Sequence, residues 1–134
     1  MNRAILCSAI EEVVSRYGYD FTLNDKSYYP ATICRYPAAF MLQPEFLRQE
    51  GRKHGRITYN VSLRLARQGA KLTPKERSEL LAEMEEQMME MFISISQTQR
   101  VAVVDKLTIK PLSEAVDTHG AVAIEAKADI ETIF

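Results

Sequence analysis

The chain has little of what most active sites are made from. Its 134 residues include no tryptophan, two cysteines, two histidines, five glycines and five prolines. Cys7 and Cys34, with only His54 and His119 to help them, show no zinc-like spacing and read as two reduced, partly buried thiols. No phosphate loop, nucleophile elbow or metalloprotease motif is present. No apolar run approaches the roughly 18 residues of a membrane-spanning helix. The opening MNRAILCSAIEEVV carries acids where a signal peptide keeps its apolar core, so the expectation is a cytoplasmic protein without membrane contact. Charge of one sign is missing too. The net value of -1 argues against wholesale binding to nucleic acid.

What remains is ordinary for a folded domain, with 46% apolar and 26% charged residues. The length predicts one domain, residues 1–134, able to bury a core without covalent staples. The charge is nevertheless divided along the chain. Residues 1–77 carry 13 Lys and Arg against 7 Asp and Glu, whereas residues 78–134 carry 4 against 11. Two readings follow: the halves offset each other inside one domain, or the basic surface of one copy meets the acidic surface of the next.

Hydrophobic spacing predicts the elements. Ile5, Leu6, Ala9, Ile10, Val13, Val14 and Tyr17 recur at helical intervals, and Gly18 follows as a stop. The turn-rich stretch 19–30 predicts a loop with a short extended piece. A β region is expected at 32–36 and again at 38–49, where Pro37 and Pro44 favour an edge or an interruption. Ile57, Tyr59, Val61, Leu63 and Leu65 alternate with polar residues or alanine, predicting a strand with one buried and one wet face. The segment EGRKHG before it suits a hairpin connection. In TPKE, Thr73 can cap, Pro74 suits the first helical position and Glu76 can complete a capping box, opening a helix that runs to Ser94 or Ser96. Two strands should close the chain. Val101, Val103, Leu107 and Ile109 share one parity, with Asp105 marking a bulge, and Val122, Ile124, Ala126, Ala128 and Ile130 share another. The expected fold is α+β in two layers: a mostly antiparallel sheet of four to five strands with two helices on one face, in the order α-β-β-(β)-α-β-β.

Chemistry is scarce. Asp117 near His119 is the closest approach to an acid–base pair, but DTHG is explained as a turn. Cys34 and His54 would need a spatial meeting that the sequence does not supply. The acids of the long helix (Glu76, Glu79, Glu83, Glu85, Glu86, Glu90) read as a solvated or partner-facing surface, not as ligands. No cofactor, metal, catalytic residue or small-molecule substrate is therefore expected. Arg48, Arg52, Lys53 and Arg56, around His54, form the sole candidate nucleic-acid contact, and a soluble hairpin tip is the simpler reading. Tyr17, Tyr19, Tyr28, Tyr29 and Tyr36 gather around the first loop, as an interface or as packing at the edge of the core.

The N-terminal helix, the hairpin PAAFMLQPEFLRQEGRKHGRITYNVSLRLAR, the helix TPKERSELLAEMEEQMMEMF and the closing strands VAVVDKLTIKPL and GAVAIEAKADI together resemble the phage tail terminator (tail completion) family, the lambda gpU-like minor tail proteins. The resemblance covers most of the chain by pattern and order of elements. It implies a non-enzymatic assembly protein forming a ring, commonly a hexamer, that caps the tail tube, stops its growth and presents a surface to head-completion proteins. Localisation would be the cytoplasm during assembly and then the virion tail. Other readings open at this stage are a small dimeric adaptor of a phage or mobile element, and a weak nucleic-acid binder using the hairpin tip.

Four of the six methionines fall between Met84 and Met91. Leu80, Leu81, Met84, Met88, Met91, Phe92 and Ile95 make one helical stripe, the geometry of a helix laid on a sheet. Met89 and Ile93 fall off it beside Glu85 and Glu86, and the helix reads as apolar nearly all round from Met88 to Ile95. Met89, Ile93, Glu85 and Glu86, with Arg52, Lys53 and Arg56 opposite, are the candidate oligomer interface.

Overall fold

In the computed structural model, residues 2–25, 35–112 and 120–134 are described. The elements are α1 (Asn2–Arg16), β1 (Asp20–Asn24), β2 (Ala38–Leu42), β3 (Glu45–Gly51), β4 (Gly55–Arg67), α2 (Pro74–Ser96), β5 (Val101–Pro111) and β6 (Val122–Ile133). The α+β class holds, with six strands instead of four to five. The added strand is β1, the short extended piece of the first loop, which pairs parallel to β2; the other described pairings are antiparallel.

Strand β4 organises the sheet because it is long enough to serve two neighbours on one side. Its C-terminal half pairs with β2 and its N-terminal half with β3, and β6 runs along its whole other side. The order is β1-β2-β4-β6-β5, with β3 beside β4. Pro44 stands between β2 and β3, the interruption that the proline predicts, since a ladder loses a donor there.

Alternation on β4 and β6 sends Tyr59, Val61, Leu63, Leu65, Val122, Ile124, Ala126, Ala128 and Ile130 to one face. There they bury against Leu6, Ile10, Val13 and Val14 of α1 and Met84, Met88, Met91, Phe92 and Ile95 of α2. Both helices therefore cover the same side. The opposite face is less wet than alternation predicts: Ala38, Phe40, Ala66 and Ala123 form a second small cluster, and Thr58 is buried. Beside that cluster Arg64 Nε donates to Glu125 Oε2 at 2.8 Å.

Helix α2 begins as its sequence requires. The Thr73 hydroxyl accepts from the Glu76 N–H at 3.2 Å, and the Glu76 carboxylate accepts from the Thr73 N–H at 3.1 Å, so two otherwise orphaned donors are satisfied. That hydrogen bond holds the Glu76 carboxyl below the ordinary glutamate value. Helix α1 ends at Gly18, whose φ of 84° a side chain would strain.

Strand β5 departs from simple parity. Its ladder with β6 slips between Val101 and Val103 and again between Asp105 and Thr108. The first slip exchanges Val104 for Val103: Val104 packs against the core, whereas Val103 is exposed. The bulge expected near Asp105 is present, with Lys106 at a φ of 55°. Of the strand expected at 32–36, Arg35 and Tyr36 are bends, and residues 32–34 lie outside the described set. Tyr28, Tyr29, Cys34, Asp117 and His119 also lie outside it.

Candidate functional site

The side chains left over once the core is filled gather on two separate surfaces. Among the described residues the large exposed apolar groups are Phe46, Leu47, Met89, Ile93, Val103 and Ile133. Phe46 and Leu47 belong to β3; Met89 and Ile93 belong to the outer side of α2, and Val103 to the neighbouring β5.

The first surface is an arm made of β3, the loop Arg52, Lys53 and His54, and the start of β4. Every residue of β3 is exposed, because β4 alone pairs with it. The arm turns between two glycines. Gly51 has a φ of 89°, and a Cβ on it would stand 2.5 Å from the His54 carbonyl oxygen, while one on Gly55 would collide with the Glu50 carbonyl. Phe134 closes the base, its N–H donating to the Gly55 carbonyl at 3.0 Å. Opposite Tyr59 and Thr58 the ladder skips from Phe46 to Arg48, leaving Leu47 as an extra residue without a partner. Phe46 is 50% and Leu47 39% exposed. The Phe46 ring meets Tyr59 edge-on at 5.8 Å, and the Arg3 guanidinium lies 5.2 Å from the same Tyr59 ring. Arg3 also donates to the Pro44 carbonyl at 2.6 Å, anchoring the root of the arm to α1.

The four basic residues considered for nucleic acid are not equivalent. Arg48 pairs with Glu50 at 3.4 Å and Arg56 with Glu131 at 3.6 Å. Arg52 and Lys53, at the tip, have no ion-pair partner among the described residues. Two unmatched cations are a thin footprint for a polyanion.

The second surface is a groove between α2 and the edge strand β5, of about 310 Å³, lined by Met89, Phe92, Ile93, Ser96, Val104 and Leu107. Met89 is 45% and Ile93 57% exposed, so the described part of the chain leaves the second apolar side of residues 88–95 open. The methionine cluster is divided: Met84, Met88 and Met91 are core, and Met89 is surface. Glu85, half-buried, and Glu86, exposed, lie one turn before Met89, and neither has an ion-pair partner among the described residues.

A larger cleft, of about 530 Å³, lies between the end of β4 and the first turns of α2. Of its charged residues, Arg67 pairs with Glu83 at 3.3 Å and Glu76 holds the helix cap, while Glu79 has no ion-pair partner among the described residues. Two of the five tyrosines near the first loop, Tyr17 and Tyr19, bond to α2. Tyr19 is buried and donates to Gln87 Oε1 at 2.7 Å, and Tyr17 donates to Glu90 at 3.3 Å. Burial raises both phenols above their ordinary value, reinforced at Tyr17 by the Glu90 carboxylate. Burial likewise pushes up the Cys7 thiol, against the opposing pull of Arg3, which leaves it a poor nucleophile. Among the described residues no three His, Cys, Asp or Glu side chains stand together as a metal would need. No helix among them is long and apolar enough to cross a membrane.

No protein-family model and no curated protein matches this chain. Its surfaces must therefore be interpreted from their own chemistry. Sequence reasoning named Met89, Ile93, Glu85, Glu86, Arg52, Lys53 and Arg56 as interface candidates. The structure brings the first four together on one side and the last three together on the arm. It missed Phe46, Leu47, Val104 and Leu107. The adjacent Phe46 and Leu47, breaking the alternation just after Pro44, were the signal that could have found the arm.

Proposed function

We propose that this protein is a structural assembly subunit that joins copies of itself head to tail, and that it acts as a phage tail terminator does, as a ring capping a tail tube and presenting a surface to head-completion proteins. The observation that carries this reading is that the molecule has two unlike exposed surfaces, an apolar arm with a basic tip and an apolar groove with acidic neighbours. Unlike, complementary surfaces generate rings when the rotation between copies closes, whereas a twofold dimer needs one self-complementary patch. The resemblance in element order supplies the tail role, and with it the tail tube as partner, the virion tail as destination and work done without catalysis.

Light scattering and native mass spectrometry across protein concentration test the reading. The expected result is a discrete closed species of about six copies, formed by the protein alone or on addition of its tail tube protein. A monomer or a twofold dimer persisting under both conditions would overturn it.

A further inference from the structure

The head-to-tail reading leaves open what the joint is made of, and resting on that reading we propose that the groove between α2 and β5 receives the Phe46–Leu47 bulge of a second copy of this chain. The arm would lie along α2 with its basic tip toward the helix N-terminus.

Three observations converge on that occupant. The first is chemical. The groove is lined by Met89, Phe92, Ile93, Val104 and Leu107, with Ser96 as its polar member, and it opens where Met89 and Ile93 are exposed. Methionine adapts to the shape of what it receives, and an apolar side chain is what such a groove accepts best. Leu47 is a bulge residue with no ladder partner, on a strand exposed along its whole length.

The second is electrostatic. Arg52 and Lys53 at the arm's tip have no ion-pair partner among the described residues, and the same is true of Glu79, Glu85 and Glu86 on α2. Glu79, Glu86 and Ile93 recur every seven residues, which places them in a single row along the helix, close to a line parallel with its axis. Both glutamates are exposed. The described residues thus leave cations on one surface and a row of anions on the other without ion-pair partners among themselves.

The third is length. From Leu47 to Gly51 the strand covers roughly 13 Å, and the turn with the long side chains of Arg52 and Lys53 extends beyond it. From Ile93 back to Glu79 the helix covers about 21 Å. With Leu47 seated beside Ile93, the strand passes Glu86 and the side chains of the tip extend toward Glu79. The apolar contact would supply most of the affinity, and the exposed charges would set direction and register.

The test uses two complementary variants of the full chain. Met89→Lys with Ile93→Lys disables the groove and leaves the arm intact. Leu47→Asp disables the arm and leaves the groove intact, sparing Phe46 because its ring packs on Tyr59. Circular dichroism and thermal melting establish that both fold; if the double lysine variant does not, Ile93→Ser replaces it. Each variant alone should associate at least roughly tenfold more weakly than the wild type. An equimolar mixture of the two should form a one-to-one heterodimer, since it contains one intact arm and one intact groove. Charge reversal should behave in parallel: Arg52→Glu with Lys53→Glu weakens assembly, and Glu79→Lys with Glu86→Lys in the same chain restores it. A wild type that assembles while either variant assembles equally well, or a mixture of folded variants that stays monomeric, would overturn this joint and leave head-to-tail assembly standing. A wild type that never assembles would overturn both.

Discussion

Met88 and Met89 are neighbours in sequence with opposite fates, since one helical step of 100° turns the first into the core and the second to solvent. Met88→Ala should therefore cost about 2–5 kcal/mol through lost burial and the cavity it leaves. Met89→Ala should stay within about 0.5 kcal/mol, as surface changes do. Urea unfolding of the two variants, compared at dilutions where the protein is unassociated, measures the contrast. The ion pair on the opposite face of the sheet presents a different case. Glu125 is 4% exposed and accepts from Arg64 at 2.8 Å, with Lys127 3.8 Å away. Arg64→Met strips a buried carboxylate of its nearest cation and should destabilise by about 3–5 kcal/mol, less whatever Lys127 compensates. Adding Glu125→Leu should recover most of the loss, because the pair can be replaced by apolar packing. If the double variant is as unstable as the single one, the damage comes from lost packing around the Arg64 stem and not from the orphaned charge.

Helix α2 has its start written into four residues, and the capping box makes its stability depend on pH. Thr73→Ala should cost about 1 kcal/mol, read as a shift in the urea midpoint. The Glu76 carboxyl titrates below its ordinary value in the folded state because it accepts from the Thr73 N–H. Its contribution is therefore complete above the ordinary glutamate value, falls as the pH drops, and is gone once the pH passes below the lowered folded value. Glu76→Gln keeps an acceptor but removes the titration, so any stability advantage of wild type over this variant should shrink as the pH falls through that acid range. The arm is the opposite kind of element, held by β4 on one side and by Arg3 at its root. A Cβ at Gly51 meets the His54 carbonyl, so Gly51→Ala should open the arm locally. Hydrogen exchange would quicken across β3 and the first residues of β4, while the amides from Val61 to Leu65 stay protected.

At the scale of the whole molecule, the sheet ends at β1 and β3 on one side and at β5 on the other, and β3 and β5 are the edges beside the two surfaces. Natural sheets commonly blunt such edges, and both strands carry bulges that spoil regular pairing with another strand. What the bulges leave is side-chain recognition, which suits one partner in one orientation. The proposed joint combines an apolar seat with exposed charges, so raising ionic strength should weaken assembly and slow association without abolishing it. Sedimentation velocity at low and high salt measures this. Complete insensitivity to salt would remove the acidic row from the joint, and complete dissociation would mean that the apolar seat contributes little.

The sequence by itself determined what depends on near neighbours. The cap at Thr73 to Glu76, the stop at Gly18, the stripe from Met84 to Ile95 and the alternation of β4 and β6 are short-range regularities, legible wherever spacing sets which side chains share a face. The charge division and the odd pair Met89 and Ile93 were legible for the same reason. Tertiary structure decided the remainder. Whether Val103 or Val104 turns inward depends on a slip in the ladder with β6, and that Leu47 has no ladder partner depends on one opposite Tyr59. A bulge is a property of two paired strands distant in sequence, so neither strand read alone announces it. The exposure of Met89 and Ile93 depended equally on what else reaches that side of α2. The groove beside them exists because β5, and no further strand, is the last of the sheet.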